Sequence, residues 1–228
     1  MGNRVERWPS PPFPVAEALD RIAALAATLP PPAMFRLADE GRHSVFEQVV
    51  ACLVSVRTRD ETTIPAVRRL FAAAPDPAAV SDLRPDRIER LIAGSTFADR
   101  KAGQILAIAR AAVERFGGIL PCDDAVLRSF DGVGPKCANL ALGVACHLPR
   151  ISVDVHVHRV VNRWGAVRTK TPEQTLTALE AIVPPERWIS INRWLMPFGK
   201  HWCTAVRPRC SDCPVRDLCH RVGVTSSR

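Results

Sequence analysis

The sequence contains no apolar run of about 18 residues or more, the length a membrane-spanning helix needs, which excludes a helical membrane protein. Its opening segment, MGNRVERWPSPPFP, lacks the apolar core of a secretory signal, so export is not expected. Position 6 is Glu6 where an N-myristoylation signal needs Ser or Thr, so a lipid anchor is not expected either. Internal repeats and low-complexity tracts are absent, which excludes solenoids and repeat arrays. Together these absences lead us to expect a cytoplasmic, globular protein.

What is present begins with charge. The 228 residues carry 31 Lys and Arg against 23 Asp and Glu, a net charge of +8. Such a surplus favours polyanionic partners, whose counterions are released when cations replace them. A hydrophobic content of 47% over this length is ample for a buried core. Of eight cysteines, Cys52, Cys122, Cys137 and Cys146 are scattered, whereas Cys203, Cys210, Cys213 and Cys219 crowd into one segment. Without an export signal, that crowding points to a metal centre rather than to disulfides.

Periodicity reads as helical almost throughout. A Pro-rich lead-in over residues 9–14 precedes a helix over Val15–Leu29, which Pro30, Pro31 and Pro32 stop. Ser44 and Glu47 have capping-box spacing ahead of an apolar run, and Pro85 opens another helix. Ala102, Ile105, Leu106, Ile108, Ala112, Val113 and Phe116 share one face of a helix that Gly117 and Gly118 end. Asp123–Phe130 reads as a short helix, Asp131–Gly134 as a tight turn, and Pro135 and Pro172 as helix starts. The alternation from Ile151 to His158 also fits a half-buried strand; pattern alone leaves the two nearly even, and a helix from Asp154, a good N-cap, is preferred. The count is about ten helices, and the expected fold class is all-α.

Gly132-Val133-Gly134 between two short helices would let backbone N–H groups approach a phosphate, with the following helix dipole adding attraction. By itself such a turn is more often a plain helix corner. Lys136 then falls in the first turn of the next helix, where the macrodipole disfavours a cation. A lysine that must be a neutral nucleophile gains from that position, and from nearby positive charge and partial burial, although a solvated surface lysine is the plainer reading. The four clustered cysteines, spaced C-x6-C-x2-C-x5-C, suit a tetrahedral zinc and a 4Fe-4S cluster equally in chemistry, and spacing alone favours zinc slightly. Lys200, Arg207, Arg209 and Arg216 surround them as a basic rim that could meet a phosphate backbone.

LRSFDGVGPKCANLALGVA followed by ISVDVHVHRVVNRWG resembles the endonuclease III family pattern LxxLPGVGxKTAN…VDTHxxRVxNR. The match falls on Gly132, Gly134, Lys136, Ala138, Asn139, Val153, Asp154, His156, Arg159, Val160, Asn162 and Arg163. The resemblance covers nearly the whole chain and is strongest from Leu127 to Cys219. It implies a bifunctional DNA glycosylase and AP lyase of base excision repair. Lys136 would form a Schiff base with the sugar and cleave abasic sites by β-elimination, and Asp154 would be the carboxylate that activates it. Further implications are a 4Fe-4S cluster on Cys203, Cys210, Cys213 and Cys219, double-stranded damaged DNA as partner, and a monomer.

For architecture, the resemblance implies a six-helix barrel over residues 38–148 carrying the helix-hairpin-helix. Residues 1–37 and 149–228 would form the cluster domain, with a DNA-binding cleft in which Lys136 and Asp154 face each other. Oxidised pyrimidines such as thymine glycol, and abasic sites, are the implied substrates.

The match weakens where the family reads damage. Ser55-Val56-Arg57-Thr58-Arg59-Asp60 resembles its S-x-Q-T-[KR]-D loop, with Asp60 matching and Arg57 replacing glutamine. Phe97 falls near the apolar wedge, usually leucine, and Thr96 where glycine is common; loop packing is the alternative for Phe97. Asp131 replaces proline, which would weaken phosphate binding, and Cys137 replaces threonine as a small packed residue. A monofunctional adenine glycosylase is disfavoured by the presence of Lys136, by the lack of a carboxylate within Val49–Val56, and by a sequence that stops soon after Cys219. A non-catalytic DNA-binding paralogue is disfavoured by the retention of Lys136 and Asp154.

Overall fold

The computed structural model describes residues 13–228, so most of the expected Pro-rich lead-in lies outside the described residues. Among the described residues no strand forms. The elements are α1 (Val15–Ala27), α2 (Ala33–Asp39), α3 (Val45–Ser55), α4 (Asp60–Ala73), α5 (Pro77–Ser81), α6 (Pro85–Leu91), α7 (Ala98–Phe116), α8 (Asp124–Arg128), α9 (Pro135–Cys146), α10 (Val155–Trp164), α11 (Pro172–Ile182), a 3-10 turn (Pro185–Arg187) and α12 (Trp188–His201). The chain divides into two compact units, one Pro32–Ser152 and the other the described residues up to Pro31 with Val153–Arg228.

The unit Pro32–Ser152 is built around α3, which buries every residue from Val45 to Val54 except Glu47. A helix apolar on nearly all sides must be central, and α2, α4, α7 and α9 pack on it. Its start is held by the expected capping box: Glu47 N–H donates to Ser44 Oγ at 3.2 Å and Ser44 N–H to Glu47 Oε2 at 3.1 Å. Such a cap is worth about 1 kcal/mol. This unit begins earlier and ends later than 38–148 because α2 packs on α3, α4 and α9, while Asn139 Nδ2 donates to Ile151 O at 2.8 Å. It holds eight helical segments, α2–α9, where six were expected; α5 and α8 have five residues each. The α7 face is nearly as read, except that Val113 is 37% exposed and Lys101 is 4% exposed.

The other unit packs α12 against α1 and α10. At its centre Trp164 is 1% exposed, stacked on Phe13 at 4.8 Å and tilted against Phe198 at 6.3 Å between ring centroids. The ambiguous stretch resolves as extended chain to Asp154, then helix. The deciding stripe runs on beyond the alternating window: Val157 within it and Val160, Val161 and Trp164 past it are buried together at helical spacing.

Disulfides join two pairs of the scattered cysteines, Cys52 to Cys137 and Cys122 to Cys146. Cys137 is thus packed, as expected, but also bonded, tying the first turn of α9 to α3. The second bridge ties the last residue of α9 to the chain ahead of α8. In chain-entropy terms each bridge stabilises the fold by about 3 to 5 kcal/mol.

Candidate nucleic-acid interface and iron-sulfur centre

In the unit Pro32–Ser152, the hairpin follows α8, whose first turn is capped by Asp123 Oδ1 accepting from Val126 N–H at 2.9 Å. Gly132 has φ +84°, a left-handed conformation that L side chains rarely adopt. Gly134 differs: its φ is −88°, and a Cβ built on it would meet nothing within 4 Å. The fold itself therefore does not require glycine at 134, and the space beside it stays open. Val133 packs inward at 5% exposure. The first helical N–H of α9 to find a carbonyl is that of Ala138, on Gly134 O at 3.0 Å, so the N–H groups before it are available to an anion.

Lys136 is exposed, so the partial burial expected of it is absent; the buried side of α9 is formed by Cys137, Ala138, Leu140 and Ala141. Its backbone carbonyl accepts from Ser152 Oγ at 3.1 Å, which fixes this first turn. Asp131 is compensated rather than bare. Gln104 Nε2 donates to its Oδ2 at 2.9 Å and Arg100 lies at 3.6 Å, and these partners hold its carboxyl below the usual range.

Beside the hairpin, two loops meet. Arg57 (φ 53°) and Phe97 (φ 58°) both occupy the left-handed region, and the Arg57 guanidinium sits 5.9 Å from the Phe97 ring centroid. Phe97 is 55% exposed, which removes the loop-packing alternative. Thr96 Oγ1 donates to Arg57 O at 2.8 Å, and Thr96 N–H to Thr58 Oγ1 at 3.0 Å, so the two loops are cross-tied. Asp60 starts α4, where a carboxylate complements the dipole. Arg57, Phe97, Arg100, Gln104 and Gly132 line one open cleft, which joins the loops to the hairpin. Beneath it lies Lys101, which the sequence marked as the loop-to-helix junction without giving it a role. Its signal was available: Lys101, Ile105, Ile108 and Ala112 follow one helical stripe, and a lysine on an apolar stripe needs a reason.

In the other unit, Asp154 caps α10, its Oδ1 accepting from His156 N–H at 2.9 Å and Val157 N–H at 2.8 Å. Farther along, Arg159 donates to Gly199 O at 2.7 Å, and Arg163 to Thr204 O at 2.6 Å and Ala205 O at 2.7 Å. These bonds fasten α10 to α12 and to the segment that begins with Cys203.

Cys203, Cys210, Cys213 and Cys219 line one cavity, walled by Trp164, Phe198 and Trp202. Burial, reinforced by the neighbouring thiols, pushes Cys213 and Cys219 up to about 11. Burial also raises Cys203, against the pull of Arg163. Such thiols release their protons when a metal cation takes the thiolate sulfur in their place. Among the described residues no group of three His, Cys, Asp or Glu is placed to hold a single metal ion. Four thiols spread around a cavity suit a multi-iron cluster, not the close tetrahedron of zinc. Of the basic rim, Arg207 and Arg209 are exposed, Arg209 stacking 5.1 Å over Trp202, and Lys200 at the end of α12 is half-buried.

An all-helical fold with a glycine hairpin ahead of a lysine-bearing helix, and a four-cysteine cavity near its C-terminus, defines a class. Residues 50–185 match the HhH-GPD superfamily base excision DNA repair protein family, and residues 203–219 the iron-sulfur binding domain of endonuclease III. Endonuclease III of Thermotoga maritima is 37% identical over 174 residues, 76% of this chain and 82% of that protein. The Escherichia coli protein is 35% identical over 176 residues, 77% and 83% of the two chains. A solved non-covalent endonuclease III–DNA complex superposes with a TM-score of 0.80 at 26% identity, covering 91% of this chain and 94% of that one. A trapped endonuclease III–DNA covalent intermediate gives 0.77 at 26% identity.

The chain belongs to the endonuclease III family and is a base excision repair DNA glycosylase with a 4Fe-4S cluster as its cofactor. Among the described residues no helix is long and apolar enough to cross a membrane.

Proposed function

We propose that the protein binds damaged double-stranded DNA, excises oxidised pyrimidines and cleaves the resulting abasic site. The observation that carries this reading is Lys136 itself, exposed in the first turn of α9 directly behind an open glycine hairpin. The N–H groups at the start of α9, with Gly134 leaving room, would seat a backbone phosphate. Arg57 and Phe97 would enter the duplex, Phe97 as wedge and Arg57 toward the orphaned base. Lys200, Arg207 and Arg209 would add phosphate contacts.

In the chemical step, the unprotonated Nζ of Lys136 attacks C1′ of the damaged nucleoside. The N-glycosidic bond breaks and its electron pair leaves with the base, which takes up a proton. The nitrogen, now carrying two protons, gives up one, and its lone pair breaks the C1′–O4′ bond as O4′ takes up a proton, which opens the sugar ring to a protonated Schiff base. Removal of a C2′ proton then expels the 3′ phosphate by β-elimination, and water releases the lysine. Asp154 would help deprotonate Lys136 and stabilise positive charge developing on the sugar. The four cysteines would hold the cluster, which when bound supplies metal–thiolate bonds that tie their segment together.

Borohydride trapping tests the reading. A covalent adduct is expected with duplexes containing thymine glycol and with duplexes containing an abasic site. An adduct on the abasic duplex alone would remove oxidised pyrimidines from the proposal, and none on either would overturn it.

Asp154→Asn separates the two jobs of that residue. Asparagine caps a helix as well as aspartate, so the thermal midpoint should stay close to wild type. Excision should fall by about 10² to 10⁴. Full activity in Asp154→Asn would reduce Asp154 to a cap.

A further inference from the structure

Lys101 is a buried cation with no role in the chemistry above. It is 4% exposed, and its Nζ donates to Val54 O, Val56 O and Ser95 Oγ, each at 2.8 Å, with Thr58 Oγ1 at 3.3 Å. Val54 and Val56 lie at the C-terminal end of α3, where carbonyls have no helical partner and the dipole favours a cation. Ser95 belongs to the turn before α7 and itself donates to Val54 O at 3.0 Å. One ammonium therefore binds the root of the Arg57 loop to the root of the Phe97 loop.

A methionine of similar length would fill this space without desolvating a charge, so packing alone does not account for a lysine here. The loops it joins carry two non-glycine residues in left-handed conformations, and both side chains are exposed. Such strain persists only where the surroundings over-determine it, and it concentrates at functional sites. Lys101 touches both loops and adds to the direct ties that Ser95 and Thr96 make between them.

We propose that Lys101 is the positioning residue of the duplex-entering loops, its ammonium holding Arg57 and Phe97 together as one preformed wedge. This rests on the reading that these loops engage damaged DNA. The charged groups facing it are Arg57 across the cleft and Arg100 on its own helix, with Asp131 held beyond by Gln104 and Arg100; α3 presents carbonyls. Burial lowers Lys101 from its ordinary 10.5 to about 8.

Two consequences of opposite sign follow. Between about 8 and 10.5 the unfolded chain keeps a proton that the folded protein has lost, so this group makes folding stability rise with pH across that window. The neutral amine, however, has two donor protons instead of three, so the tie between the loops loosens across the same window.

The test uses the full-length, cluster-containing protein and a duplex bearing an uncleavable tetrahydrofuran abasic analogue, with 2-aminopurine opposite to report unstacking. Wild type, Lys101→Met and Lys101→Arg are compared, with binding to undamaged duplex as reference. Lys101→Met is expected to lose about 10- to 100-fold in preference for the abasic duplex. Its affinity for undamaged DNA should hold, and Lys101→Arg should recover part of the preference.

The wild-type unstacking signal should decline above pH 8, whereas that of Lys101→Met should be flat. Amide exchange in the free protein should quicken at residues 56–59 and 95–97 in the methionine variant. Wild-type preference and unchanged exchange in Lys101→Met would overturn the inference. A wild-type protein without preference for the abasic duplex would overturn the DNA-damage reading and this inference with it.

Discussion

Lys136→Gln is expected to leave no borohydride-trapped adduct on any substrate and to lower single-turnover excision by about four to six powers of ten. The size follows from the role proposed for Lys136. A glutamine amide nitrogen is not nucleophilic, so the covalent route closes entirely, and only binding and electrostatic stabilisation remain. The structure gives the substitution little else to disturb. Lys136 is exposed, and the bond that orders its turn uses its backbone carbonyl, which any residue supplies. Cys137 stays bonded to Cys52, and Gly134 O still receives Ala138 N–H. The thermal midpoint and the affinity for an uncleavable abasic duplex should therefore match wild type. Retention of adduct would move the nucleophile elsewhere, and loss of binding along with activity would make Lys136 a phosphate contact instead.

Substituting a cluster cysteine, as in Cys213→Ala, is expected to abolish visible iron-sulfur absorbance and to unfold the segment from Cys203 to the C-terminus. That segment contains no helix, and its only buried residues are Pro208 and Val215. Burying two such side chains recovers roughly 3 to 5 kcal/mol. Ordering a segment of this length costs about 1 to 2 kcal/mol per residue in backbone entropy alone. Hydrogen bonds such as those from Arg163 to Thr204 O and Ala205 O contribute about 1 kcal/mol each and do not close the gap. Metal–thiolate bonds supply what packing does not. Limited proteolysis should cut the variant after residue 202 while the unit Pro32–Ser152 keeps its protection. Unchanged protection of the C-terminal segment in Cys213→Ala would mean that its fold does not depend on the cluster.

The parts of the site legible in sequence are those whose physics is local. A capping box spans four residues, a hairpin needing a left-handed glycine is a turn, and four crowded cysteines are a single segment. Ser44 with Glu47, Gly132, and the 203–219 cluster could each be read for that reason, and the family resemblance joined them into one activity. Helix α2 was missed because seven residues between prolines and a capped helix give too short a window for periodicity. The strand-like alternation at 151–158 left strand and helix nearly even over eight residues, and the preferred helix from Asp154 is the one that forms, its apolar stripe reaching Trp164.

By itself, the sequence determined an all-helical, basic, cluster-binding chain of the endonuclease III kind, with Lys136 behind its hairpin, because helical period, turn chemistry and motif spacing are properties of neighbouring residues. Only the tertiary structure decided that Cys52 meets Cys137 across 85 positions, that Asp131 is compensated by Arg100 and Gln104, and that Phe97 is exposed beside Arg57. It also revealed Lys101 beneath two loops separated by some 40 residues of chain. Those facts depend on which helices pack against α3 and in what register, and packing of that kind sums many weak contacts between residues far apart in sequence.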